Sequence, residues 1–120
     1  MSVEKKYKWY KIAESVDDFF WQETNLCEVV VKGKTICIAR NNDELFACTH
    51  KCPHAGGYLA NGSIDALGNI VCPLHRYKFS LSNGQNTSGE GYYLKTYPIE
   101  KKEDGIYIGF EEGGLFGLFK

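Results

Sequence analysis

Hydrophobic and polar residues alternate along this chain in short runs, with the period of strands rather than helices. The runs "CEVVV" (27–31) and "KTICIAR" (34–40) flank Lys32-Gly33, which suits a hairpin turn. "ELFACTH" (44–50) follows the polar turn "NNDE", and "NIVCP" (69–73) follows "DALG". "YKFSLS" (77–82) leads into Asn83-Gly84, the strongest two-residue hairpin signal in the chain. "YYLKTYPIE" (92–100) and "GIYIGF" (105–110) flank the turn "KKEDG", and "IYIGF" alternates clearly enough to bury one face. Only "AESVDDFFW" (13–21) predicts a helix, starting near Glu14 or Ser15. Short strands and abundant glycine predict an all-β fold, an antiparallel sandwich or small barrel. With no Pro- or Ser-rich linker and no repeat, residues 1–120 read as one domain.

Composition narrows the function classes. A chain of 120 residues can bury roughly two thirds of its unfolded surface without help. The net charge of −1 argues against a generic nucleic-acid binder, which carries a basic bias. The apolar runs are too short to cross a bilayer. The start "MSVEKKYKWYK" lacks the apolar stretch of a secretory signal, so a cytoplasmic protein with no membrane partner is expected. Five cysteines in such a chain read as metal ligands or thiols rather than a disulfide framework.

The chemistry concentrates between residues 48 and 75. Two successive Cys-x-His pairs, Cys48/His50 and Cys52/His54, precede a Cys-x-x-His pair, Cys72/His75. Zinc modules favour Cys-x-x-Cys knuckles, or two Cys followed by two His. In extended backbone, residues i and i+2 point the same way about 6.5 Å apart, which suits ligands reaching two different metal atoms. A binuclear centre taking one Cys and one His from each of two loops fits this spacing. Gly56, two residues past His54, permits the tight fold-back such a loop needs, whereas Cys52 stands two past His50. That favours the later pair, leaving Cys48 as a buried thiol and His50 as a surface imidazole of the incoming strand.

"CPHAGGYL" (52–59) and "CPLHRYKF" (72–79), seventeen residues apart from His54 to Cys72, resemble the two boxes of the Rieske [2Fe–2S] family. Their flanks, "ELFACTHKCPH", "FSLSNGQ" and "LKTYPIEKKEDGIYIGF", are similar to the family's strands. The resemblance implies a Rieske-like antiparallel sandwich with a small cluster-binding subdomain of two loops, at about residues 47–84. It implies one [2Fe–2S] cluster, with Cys52 and Cys72 on one iron and His54 and His75 on the other, nearer the surface. Two ferric ions, two sulfides and two thiolates sum to zero charge. An electron therefore enters more easily than in a four-thiolate centre. Leu74 occupies the position that carries a disulfide cysteine in high-potential members, and Tyr77 and Phe79 occupy their hydroxyl positions. Fewer hydrogen-bond donors to sulfur predict a potential at the low end of the family. The segment "NTSGEGYY" (86–93) lacks the proline of the loop that covers the cluster in many relatives, which predicts a looser cover or a longer loop.

The resemblance implies a one-electron carrier between a ferredoxin reductase and a terminal oxygenase or other redox enzyme. The alternative is the small electron-transfer subunit of an NAD(P)H nitrite reductase, bound to its large subunit; a structural zinc module ranks below both. An oxygenase catalytic iron is excluded, because its facial triad needs two His and only His50 is uncommitted. No catalytic residue is assigned, since no Ser-His-Asp set or phosphate loop is present. Lys51, Arg76 and Lys78 lie in stretches free of Asp and Glu, 45–64 and 69–89, and would form a basic rim for an acidic partner. The terminal "GGLFGLFK" reads as an edge strand or packed tail, or alternatively as a docking peptide.

Overall fold

Residues 36–39 (ICIA) are apolar without alternation, as in a strand buried on both faces. A computed structural model describes residues 6–53 and 56–112. The run lies in β3 (Lys34–Asn41), second in an antiparallel sheet of order β2-β3-β4-β8, with β2 Leu26–Val31, β4 Glu44–Thr49 and β8 Thr96–Tyr97. Ile36 and Ile38 face one way and Cys37 and Ala39 the other, all at most 1% exposed. Burying each isoleucine contributes about 2 kcal/mol.

Each face of this middle sheet meets another sheet. On the Ile36/Ile38 side, β1 (Tyr7–Ala13), β10 (Gly105–Glu111) and β9 (Ile99–Lys102) form a three-stranded sheet of order β1-β10-β9. Its Ile106 and Ile108 join Ile36, Ile38, Cys27, Leu45, Ala47 and Tyr97 in one core. On the Cys37/Ala39 side lies a smaller sheet of β5 (Ser63–Ile64), β6 (Asn69–Val71) and β7 (Lys78–Ser80). A second core there joins Leu26, Cys37, Ala39 and Cys48 to Leu59, Ile70, Phe79, Leu81 and Leu94. The expected all-β architecture holds, with every strand pair antiparallel.

The hairpin expected at Lys32-Gly33 forms, with both residues at positive φ (52° and 77°) as a type I′ turn requires. Two expectations change. The helix over 13–21 contracts to one 3-10 turn, Val16–Asp18. Asp18 Oδ2 accepts the N–H groups of Glu14 and Ser15 (3.0 and 3.1 Å), and the chain turns extended at Phe19 to bury that ring. Asn83-Gly84 is part of a longer loop rather than a two-residue turn: Ser80 N–H donates to Gln85 O (2.9 Å) and Gly84 N–H to Ser80 O (2.8 Å). Strand β1 carried no signal, because its lysines and half-buried aromatics blur the alternation; pairing with β10 makes it a strand.

The β5–β6 turn depends on Asp65. Its Oδ1 accepts the N–H groups of Leu67 and Asn69 (2.9 Å each), Oδ2 accepts Asn69 Nδ2 (3.0 Å), and Lys78 Nζ lies 3.7 Å away. Burial opposes ionisation, but these bonds and Lys78 outweigh it and hold the carboxyl below its ordinary value. Since the folded value is the lower one, the stabilisation is complete above the unfolded carboxylate value of about 4 and is lost as pH falls through the folded value. Asp65→Ala is expected to cost about 1–2 kcal/mol in urea unfolding at neutral pH. The gap to wild type should narrow steadily on acidification, and a gap that ignores pH would contradict this account.

Candidate metal centre

Two loops of equal length project from the second core. The first leaves β4 through a bridge between Lys51 and Tyr58, and Cys52 N–H donates to Gly57 O (2.7 Å). The second caps the β6–β7 hairpin, and Cys72 N–H donates to Tyr77 O (2.8 Å). Each cysteine thus opens a six-residue loop closed by its own amide. Both side chains are buried, Cys52 at 3% and Cys72 at 0% exposure, and their thiols are in hydrogen-bond contact across the two loops. Burial raises the Cys72 thiol to about 11; the Leu74 N–H, which donates to its sulfur, works against the rise, and the Cys52 thiol adds to it. A metal bound at Cys72 would have to displace its proton, and the metal's own charge would favour that.

Gly56 sits at φ +72°, a conformation that glycine adopts without steric cost. Gly57 matters for space instead. A Cβ there would lie 3.2 Å from Cys72 Sγ and 3.0 Å from Leu74 Cγ, so the first loop leaves no room for a side chain against the thiol of the second. Leu74 lies across this gap. His75 and Arg76 both have left-handed backbone (φ 63° and 58°), which reverses the second loop in one step. Non-glycine residues in that region cost on the order of 1 kcal/mol each, strain of a kind that gathers at functional sites. The His75 ring lies 6.4 Å from that of Tyr77, which packs on the core holding both cysteines.

Of the four expected ligands, the structure brings Cys52, Cys72 and His75 to adjoining loops; His54 lies outside the described residues. Among the described residues no group of three or more His, Cys, Asp and Glu side chains could hold one metal ion. The competing pair goes elsewhere. Cys48 is inside β4, directly opposite Cys37, with the two buried thiols in contact. That contact and burial push the Cys37 thiol far up, and burial pushes Cys27 to about 12, so neither is a reactive thiolate. His50 is half-buried rather than a plain surface imidazole, and its ring stacks on Tyr58 at 5.7 Å.

The basic rim is modified by the fold. Lys78 reaches Asp65, which lies just between the two acid-free stretches, so its charge is partly neutralised. Lys51 is exposed with its ammonium 5.8 Å from the Tyr58 ring, and Arg76 is exposed. For the third loop, 86–93, the sequence reading expected a looser cover or a longer loop. It is not loose: Asn86 bonds along its length, and Tyr92 lies 5.7 Å from Tyr77. An Asn ahead of Ser and two glycines is the signal that would have pointed to this order.

With this geometry the comparisons agree. The family model described as "Rieske [2Fe-2S] domain" matches residues 8–98. The chain belongs to the Rieske family. The 3-phenylpropionate/cinnamic acid dioxygenase ferredoxin subunit of Photorhabdus laumondii is a relative, 31% identical over 78 residues that cover 64% of this chain and 74% of that one. Among solved structures, a chain of the complex of reduced oxygenase and oxidized ferredoxin in carbazole 1,9a-dioxygenase is similar. Its TM-score is 0.70 at 25% identity, covering 83% of this chain and 91% of that one. A chain described as an NADH-dependent nitrite reductase small subunit from Mycobacterium tuberculosis shares the fold, with TM-score 0.72, 18% identity, and coverage of 88% and 96%. A Rieske domain implies a [2Fe–2S] cluster, and two facing thiols with an imidazole on the adjoining loop suit one.

Gly57→Ala is expected to lower iron and sulfide content per chain while circular dichroism keeps its wild-type form. Adding Leu74→Ala should not restore the content, because the contact with Cys72 Sγ remains. Full iron loading in Gly57→Ala would show that this approach is not needed.

Proposed function

We propose that this protein is a one-electron carrier, with Cys52 and Cys72 as thiolate ligands and His54 and His75 as imidazole ligands of one Rieske cluster. The observation that carries the reading is the facing of the Cys52 and Cys72 thiols on twin loops in a chain of the Rieske family. When bound, the cluster supplies a single one-electron couple. The chain's own residues do the rest. Leu74 N–H donates to the Cys72 sulfur and so favours the thiolate. Phe79, fully buried, fills the space beneath without offering a hydroxyl. Leu74 and Tyr77 flank the thiol pair and limit water there. With few donors to sulfur, the potential falls at the low end of the family's range of roughly −150 to +300 mV.

Electrons pass to the oxygenase component of a multi-component system, as the names of similar proteins suggest, and a reductase supplies them. The compartment is reducing, in keeping with five free cysteines. Among the described residues no helix is long and apolar enough to cross a membrane. Lys51 and Arg76 steer an acidic face of the partner, mainly through the association rate. The second reading, a bound nitrite reductase small subunit, has support in the shared fold. Co-purification with a large redox subunit at equal stoichiometry would decide for it.

Low-temperature EPR of the reduced protein tests the site. Cys52→Ser, Cys72→Ser and His75→Ala should each abolish the signal, and Cys48→Ser should retain it. A signal lost with Cys48→Ser but kept with Cys52→Ser would overturn the assignment. The rim is tested separately: the rate of electron delivery to an oxygenase component should fall with added salt, and Lys51→Glu with Arg76→Glu should flatten that dependence. A rate indifferent to salt removes the steering role.

A further inference from the structure

Residues 86–93 have no proline and include Gly89 and Gly91, both at positive φ. Backbone bridges Phe79–Asn86 and Gln85–Tyr93 hold the ends of this loop, and the Asn86 side chain ties down what lies between. Its Oδ1 accepts the N–H groups of Glu90 (2.5 Å) and Gly91 (2.9 Å) from the far end of the loop. Its Nδ2 faces Lys78 O (3.0 Å), Glu90 Oε1 (3.0 Å) and Ser88 Oγ (3.2 Å). One amide side chain thus ties the end of the loop to its beginning, and both to β7 just past the second cysteine loop. Ser88 Oγ adds to the tie by accepting Lys78 N–H (2.9 Å) and donating to Glu90, and Thr87 N–H donates to Lys78 O (2.9 Å).

What the loop presents is Tyr92. Its ring lies 5.7 Å from that of Tyr77 at 33°, and Tyr77 packs on the core that contains Cys52 and Cys72. Tyr92 is 43% exposed, so it forms the outer layer of this stack. We infer that Asn86 is a positioning residue of the redox centre, holding Tyr92 over Tyr77 so that the two rings shield the thiolate side of the site from water. The inference rests on the proposed ligand set.

Its consequence follows from charge. Reduction takes a neutral centre to one negative charge, and water stabilises that charge better than aromatic rings do. Removing the shield should therefore raise the midpoint potential and expose the centre to oxidative loss.

Hydrogen exchange, midpoint potential and the half-life of the visible chromophore in air test this together. Asn86→Ala should speed exchange at the Glu90 and Gly91 amides several-fold, raise the potential and shorten the half-life several-fold. Tyr92→Ala, a surface change that leaves the Asn86 bonds in place, should reproduce the potential and half-life effects, while Tyr92→Phe keeps wild-type values. The double variant Asn86→Ala/Tyr92→Ala should shift the potential no further than either single one, since both act through the same contact. Wild-type potential and half-life in a loaded Tyr92→Ala protein, additive shifts in the double variant, or unchanged exchange in Asn86→Ala would each overturn the inference. A wild-type chain that takes up no iron defeats the functional reading, and the inference with it.

Discussion

Burial of β3 on both faces governs the arrangement of this protein. A strand with Ile36 and Ile38 on one side and Cys37 and Ala39 on the other cannot meet water on either. Two further sheets must cover it, and they do different work. The β1-β10-β9 sheet closes a conventional hydrophobic core. The small β5-β6-β7 sheet closes a core whose rim is made of Cys52 and Cys72. The site is therefore the edge of a core rather than an attachment to a finished fold, which is why its sulfurs are dry.

Dryness disfavours negative charge in the site. It raises the Cys72 thiol. In the proposed cluster it would equally disfavour the charge added on reduction. The chain offsets this sparingly, through the Leu74 amide at the Cys72 sulfur, and surrounds the rest with Phe79, Leu74 and Tyr77. Close backbone approach replaces covalent bracing: Gly57 lets Leu74 and the Cys72 sulfur lie against the first loop, and the left-handed pair His75-Arg76 turns the second.

The surface around the site is more differentiated than its charge pattern suggested. Asp65 holds a hairpin turn and takes part of the charge of Lys78, leaving Lys51 and Arg76 as the exposed cations beside the loops. Asn86 gives a glycine-rich segment a fixed form, and Tyr92 lies on Tyr77.

Much of this was legible in the chain. Alternation and turn residues gave the hairpin around Lys32-Gly33 and the strands β2 to β4, because those signals are local: a positive φ at glycine, a side-chain period of two. The wording of "CPHAGGYL" and "CPLHRYKF" carried the family, since ligand type and spacing are written in sequence order. Other features depend on residues far apart in the chain. Strand β1 exists because β10 offers it an edge, and the 13–21 segment gives up most of a helix so that Phe19 can enter the core. The contact of Cys48 with Cys37, of Cys52 with Cys72, of Asp65 with Lys78 and of Tyr92 with Tyr77 all needed the sheets to be stacked first. Sequence fixes which atoms can bind or bond, but only packing decides which of them meet.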